Sequence, residues 1–301
     1  MMGRRSFLVN AAVGGIIAAW GKDEQPGTPS TAGARNNGYA PVDGLKLYYE
    51  IRGSGAPLIL MHGGLGSVAM FSAILPALAS GRKVIAVDLQ AHGRTADIDR
   101  PLSYDAMAGD IAGLLKYLGI EKADVMGYSL GAGVAVRTAV RSPEAVRKLV
   151  VASMPYKREG WYAEVRAAMS QMGPQSAELL KQSPLGKEYL SVAPRPEDWT
   201  VLVTKVGKLI NTEYDWTSDV AAIKVPTMIV FGDADAVQPQ HMVEFFQLLG
   251  GGKKDGGWDG SGISSARLAI LPGVTHYKMS ASPVLASTVT AFLDEPMLAA
   301  K

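Results

Sequence analysis

Gly127-Tyr128-Ser129-Leu130-Gly131 is the sharpest chemical signal in the chain. A serine flanked at both next-nearest positions by glycine suits a turn too tight for neighbouring Cβ atoms. Between a strand and a helix, such a turn holds the hydroxyl clear of the backbone beside the positive end of the helix. A serine hydroxyl needs a base to become nucleophilic, and the chain offers four histidines. His276 ends the stretch Leu271-Pro272-Gly273-Val274-Thr275-His276, directly after the last apolar run, which places it at the same sheet edge as Ser129. His62 is read as holding a glycine turn and His92 as structural in another strand-end loop. His241, at the start of a helical pattern, is read as a solvated surface residue. The base in turn needs a carboxylate to set its tautomer. Asp235 is the first choice, Asp233 the second, and Asp88, after an earlier strand, a weaker third. A developing oxyanion needs backbone donors. His62-Gly63-Gly64-Leu65-Gly66 exposes amides, so Gly64 N–H and Leu130 N–H are the expected pair, with Leu65 in reserve. Gly64-Leu65-Gly66 lacks the following Gly-Lys-Ser/Thr of a phosphate loop.

The elements that must position these groups alternate along the chain. Asp43-Gly44 is a hairpin turn signal between Tyr39–Val42 and Leu45–Ile51. Short apolar runs at Pro57–Met61, Lys83–Val87, Ala123–Met126, Arg147–Ala152, Thr227–Phe231 and Arg267–Leu271 read as buried strands. Helical spacing is predicted over Val68–Ala79, Tyr104–Leu118, Gly131–Val140, Gln240–Leu249 and Pro283–Leu293. This alternation implies a mostly parallel sheet covered on both faces. The rhythm stops over residues 155–223, where helical patterns are broken by Pro174, Pro184, Pro194 and Pro196. That insertion is expected to form a helical cap above the C-terminal strand ends, where such folds bind ligands. The core then comprises residues 39–154 and 224–295. The Gly-rich stretch 250–262 is expected at the opposite face, as a structural loop.

Hydrophobic residues make up 48% of the chain and charged residues 19%, which excludes a disordered polymer. The formal net charge of +2 gives no electrostatic surface for nucleic acid. There is no cysteine, so disulfides, thiolate catalysis and cysteine-bound zinc are excluded. No cofactor motif or metal cluster is visible in the sequence. Residues 1–34 have the order of an export leader: Arg4-Arg5-Ser6-Phe7-Leu8, an apolar stretch to Trp20 too short to span a bilayer comfortably, then small residues ending in Ala32-Gly33-Ala34. The paired arginines resemble a twin-arginine signal. Export is therefore expected, to the periplasm or beyond, with no stable membrane anchor once the leader is removed.

His62-Gly63-Gly64, the Asp88…His92-Gly93-Arg94 loop, the Ser129 turn, Gly232…Asp235…Pro239 and the His276 loop together resemble the α/β-hydrolase superfamily. The likeness is to its esterase and haloperoxidase-type branch and spans about Tyr39 to Leu293. The chain order Ser…Asp…His is that of this superfamily. The resemblance implies an eight-stranded, mostly parallel sheet with helices on both faces and a helical cap. It implies Ser129 as nucleophile, Asp235 as acid and His276 as base, acting without a cofactor on a small ester-type substrate. Haloalkane dehalogenases and epoxide hydrolases of this fold carry aspartate where Ser129 stands. Proline-releasing aminopeptidases carry proline where Leu65 stands. Three activities stay open: hydrolysis of a carboxylic ester or lactone, cofactor-free perhydrolase or haloperoxidase chemistry on the same triad, and ligand binding without turnover. Trp161, Tyr162, Tyr189, Trp199, Tyr214 and Trp216 give the insertion an aromatic character that mixes core packing with pocket lining, and suggest an apolar substrate.

Overall fold

A computed structural model describes residues 36–296; the leader expected over residues 1–34 lies outside the described residues. The strands are β1 (Asn36–Val42), β2 (Leu45–Arg52), β3 (Ala56–Met61), β4 (Arg82–Val87), β5 (Ala123–Tyr128), β6 (Val146–Ala152), β7 (Thr227–Ala234) and β8 (Ala266–Thr275). They form one eight-stranded sheet in the order β1-β2-β4-β3-β5-β6-β7-β8. β2 pairs antiparallel with both β1 and β4, and all other neighbours are parallel. Asp43 and Gly44 have φ of 45° and 81°, the double positive-φ turn whose twist matches that of the strands it joins.

Alternation along each parallel strand feeds two cores. Ile59, Ile85, Val125, Val151 and Phe231 face one side, against the apolar stripes of α2 (Tyr104–Tyr117), α3 (Leu130–Arg141) and α9 (Pro239–Leu248). Leu58, Val84, Met126, Val150 and Val230 face the other, against α1 (Leu75–Ala79) and α10 (Pro283–Asp294). Burial on both faces is why these strands read as continuous apolar runs.

Between β6 and β7 run α4 (Ala163–Met169), α5 (Pro174–Lys181), α6 (Pro184–Val192), α7 (Trp199–Asn211) and α8 (Thr217–Ala222). Pro174 and Pro184 open α5 and α6, where a missing N–H has no intrahelical acceptor to lose. α7 buries Trp199, Leu202, Val203, Val206 and Leu209 along one stripe. Each such side chain contributes on the order of 1.5–3 kcal/mol. The Trp199 indole N–H donates to the Ala177 carbonyl at 2.8 Å, so the ring enters that core without an orphaned donor.

Two expectations change. The helix expected over Val68–Ala79 is a 3₁₀ turn, Val68–Phe71, followed by the short α1. The Ser67 hydroxyl caps the turn by accepting from Ala69 N–H, and Pro76 starts a new helix. The last strand does not stop at Leu271 but continues to Thr275, because the Pro272-Gly273 step is absorbed as a bulge opposite Gly232 and Ala234. The Gly-rich stretch links α9 to β8 with Trp258 fully exposed.

Candidate active site

The three residues of the proposed triad, with His62 and Asp88, each sit directly after a strand of the parallel part of the sheet. His62 follows β3, Asp88 follows β4, Ser129 follows β5, Asp235 follows β7 and His276 follows β8. Parallel strands end on one edge, so residues distant in sequence converge there.

Ser129 has φ 53° and ψ −119°, a sparsely populated backbone state for a side chain with a Cβ. The turn around it closes only because its neighbours are glycine. A Cβ on Gly127 would overlap the Gly131 carbonyl, and one on Gly131 would overlap the carbonyls of Met61 and His62. The Ser129 Oγ lies 3.1 Å from His276 Nε2. His276 Nδ1 lies 3.0 Å from Asp235 Oδ1. A carboxylate opposite Nδ1 places the imidazole proton there and leaves the Nε2 lone pair facing the serine hydroxyl. Tyr128, adjacent to the serine, donates its hydroxyl to the His276 carbonyl at 2.7 Å and so ties the histidine loop to the serine turn.

Asp235 is held by more than the histidine. Ala236 N–H donates to Oδ1 at 2.7 Å. Ser153 O–H and Gly232 N–H donate to Oδ2 at 2.6 and 3.1 Å. Burial opposes ionisation of this carboxyl, but the bonds from His276, Ser153 and Gly232 outweigh it and hold it below the usual carboxylate range. Asp233 is elsewhere: exposed, with Oδ1 accepting Gly273 N–H at 2.8 Å, it pins the β8 bulge. Asp88 is fully buried and accepts Val68 and Arg94 N–H at 2.7 and 2.8 Å, joining two strand-end loops. Burial, only partly countered by those two bonds, pushes its pKa up to about 6.

The other histidines are structural. Leu89 N–H can only donate, so His62 Nε2, 3.1 Å away, accepts and Nδ1–H donates to the Gly63 carbonyl at 2.8 Å. His92 Nδ1 lies 2.8 Å from the Gln90 carbonyl. His241 corrects the surface expectation. It is buried, accepts Tyr156 N–H at 3.1 Å and stacks on the Tyr156 ring at 4.1 Å between centroids. Gly160 makes this packing feasible, since a Cβ there would come within 2.6 Å of the imidazole.

Gly64 and Leu130 both border the cavity that Ser129 faces. Leu130 opens α3, so its N–H has no intrahelical acceptor. Leu65, at φ 60°, shapes a turn closed by Gly66 N–H to the Gly63 carbonyl at 3.1 Å. The cavity has about 1220 Å³ of empty space, counting its open mouth. Its walls come from both the core and the insertion: Met70, Tyr104 and Met154 from the one, Trp161, Val165, Met169, Met172, Val206, Ile210 and Tyr214 from the other. Tyr189 and Trp199 pack on one another instead, 5.3 Å between ring centroids, and Trp216 packs edge-on against Tyr104 of α2 at 5.2 Å.

The model of the alpha/beta hydrolase fold family matches residues 56–182. The AB hydrolase superfamily protein YisY of Bacillus subtilis is 30% identical over 219 residues, 64% of this chain and 79% of that protein. The chain belongs to the α/β-hydrolase superfamily. The putative carbamate hydrolase RutD of Azorhizobium caulinodans is 28% identical to this α/β-hydrolase over 265 residues, 81% of this chain and 93% of that one. Among solved structures, carboxylesterase CesB of Bacillus subtilis superposes with a TM-score of 0.67 at 20% identity, covering 98% of this chain and all of that one, a likeness of fold.

Two residues of this hydrolase's site had no sequence signal of their own. Ser153 follows β6 with φ 56°, and it supports Asp235 from a strand whose end carried no motif. Tyr128 lies inside the serine motif, yet only the path of the β8 loop gives its hydroxyl the His276 carbonyl as acceptor. The rule that strand-end positions form the site would have flagged Ser153.

Proposed function

We propose that this chain is a serine hydrolase that cleaves carboxylic esters or lactones through an acyl-enzyme. The observation that carries the reading is the unbroken line from Ser129 Oγ through the His276 ring to Asp235, with links of 3.1 and 3.0 Å. Ser129 Oγ attacks the ester carbonyl while His276 Nε2 takes its proton. Asp235 stabilises the imidazolium. Gly64 and Leu130 N–H hold the oxyanion, helped by the N-terminus of α3. His276 then protonates the leaving alcohol, and water, activated by the same ring, releases the acid. The same triad would also deliver the acyl group to peroxide. Four thioethers, Met70, Met154, Met169 and Met172, line the cavity, and a peracid formed there would oxidise them. Perhydrolysis would therefore damage its own cavity, and we take water as the acceptor.

The test is pre-steady-state release of p-nitrophenol from a p-nitrophenyl butyrate excess. A burst stoichiometric with enzyme, an acyl adduct on Ser129 by mass spectrometry, and loss of both in Ser129→Ala are expected. An acyl adduct elsewhere, or undiminished turnover in the variant, overturns the reading. We also propose export through residues 1–34, on the strength of Arg4-Arg5 and the apolar run behind them. Replacing both arginines with lysine is expected to retain the protein in the cytoplasmic fraction, and unchanged export would refute the proposal.

A further inference from the structure

Apart from the imidazole of His276, the described lining of the cavity has no side chain that could pair with a substrate charge. Lys, Arg, Asp and Glu are all absent from its lining among the described residues. Two cations beside the walls are engaged elsewhere, while Arg166 and Lys278, next to Val165 and Tyr277, lie outside the lining. Lys205, one position before the wall residue Val206, bonds Asp97 at 2.6 Å and the Ile98 and Arg100 carbonyls at 2.8 and 2.9 Å. Arg158 is bound to Glu213 at 2.9 Å and to the Ile210 carbonyl at 3.3 Å. Most of the lining hydroxyls are engaged too. Tyr128 donates to the His276 carbonyl at 2.7 Å. Ser183 donates to the Leu180 carbonyl at 2.6 Å and accepts from Gly186 N–H at 3.2 Å. Tyr214 accepts from the Trp161 indole at 3.1 Å and reaches the Pro155 carbonyl at 3.4 Å. Only the hydroxyls of Tyr104 and Tyr277 lack a protein partner among the described residues, and burial raises the pKa of both, so they offer neutral donors.

We infer, resting on the ester-hydrolase reading above, that this cavity selects uncharged esters and excludes those whose acyl or alcohol part carries a carboxylate remote from the scissile bond. Moving such an anion among thioethers and aliphatic walls strips its hydration with no cation in return. The amides of Gly64 and Leu130 cannot serve it, because the reacting carbonyl occupies them. A neutral carbonyl or ether oxygen loses far less hydration and finds the tyrosine hydroxyls.

The experiment compares three substrates of matched reach at pH 7.5: p-nitrophenyl hexanoate, mono-p-nitrophenyl adipate, and the methyl ester of that adipate. Ser129→Ala serves as the blank. The hexanoate and the methyl ester are expected within about tenfold of one another in kcat/KM, and the free acid about 100-fold or more below its methyl ester. A free acid turned over within about tenfold of its methyl ester overturns the inference while leaving the hydrolase reading intact. If none of the three releases p-nitrophenol above the blank, the ester-hydrolase reading falls, and the inference with it.

Discussion

Asp235→Asn is the most demanding test of the proposed triad, because four donors converge on this carboxylate. His276 Nδ1–H and Ala236 N–H reach Oδ1 at 3.0 and 2.7 Å, while Ser153 O–H and Gly232 N–H reach Oδ2 at 2.6 and 3.1 Å. An asparagine has one oxygen and one NH₂. With its oxygen at the Oδ1 position, the NH₂ faces Ser153, whose hydroxyl can rotate to accept, and Gly232 N–H, which cannot. With its oxygen at Oδ2, the NH₂ faces Ala236 N–H and drives the histidine proton to Nε2, the tautomer unable to act as base. Either way one buried backbone N–H loses its acceptor, a cost of about 1–3 kcal/mol. Either way, too, the charge opposite the imidazolium is gone. We expect kcat for a p-nitrophenyl ester to fall by about 10³–10⁴-fold, and urea unfolding to show a loss of about 1–3 kcal/mol. Asp233→Asn is the control. Among the described residues its exposed carboxylate meets only Gly273 N–H, so kcat should stay within about threefold, since exposed sites away from the reacting groups change little. An Asp235→Asn enzyme keeping more than about a tenth of wild-type kcat, or an Asp233→Asn enzyme falling as far, would refute the assignment.

Three further outcomes follow from the geometry. Gly131→Ala drives a Cβ into the Met61 and His62 carbonyls; we expect a loss of about 3 kcal/mol or more, or no soluble protein, and wild-type thermal stability would contradict the tight-turn argument. Tyr128→Phe removes the tether to the His276 carbonyl, and kcat should fall by roughly tenfold with about 1 kcal/mol of stability, a KM effect alone arguing against tethering. Burial lowers the pKa of His62 and His241 to about 4 and that of His92 to about 3. These rings stay neutral in the fold at pH 5 while the unfolded chain protonates them, so stability falls with pH from about 6.5 downward, by roughly 2 kcal/mol per ring at pH 5. Asp88, raised to about 6 by burial, acts in the opposite sense over the same window, returning about 1 kcal/mol. Urea midpoints at pH 7 and pH 5 should therefore differ by several kcal/mol of unfolding free energy, and equal midpoints would show that the histidines are not buried neutral.

The local chemistry was legible in the sequence. Gly127 and Gly131 around Ser129, and the apolar runs ending near residues 61, 87, 126 and 152, are short-range constraints that a chain carries on its face. From them came the strand order along the chain, the insertion and Ser129, with His276 placed by the last apolar run and Asp235 only preferred over Asp233. What the sequence left open were contacts between strands that never neighbour one another in the chain. Asp233 and Asp235 are two residues apart and chemically identical, and only the β8 bulge gives one of them Gly273 and the other His276. His241 reads as a solvated helix start until Tyr156, eighty-five positions away, stacks on it. The electroneutral cavity likewise exists only where α4 and α7 close over the strand ends. Periodicity records which face of an element is apolar; it does not record which partner that face will meet, and in this hydrolase the partner decides which aspartate meets His276 and which side chains line the cavity.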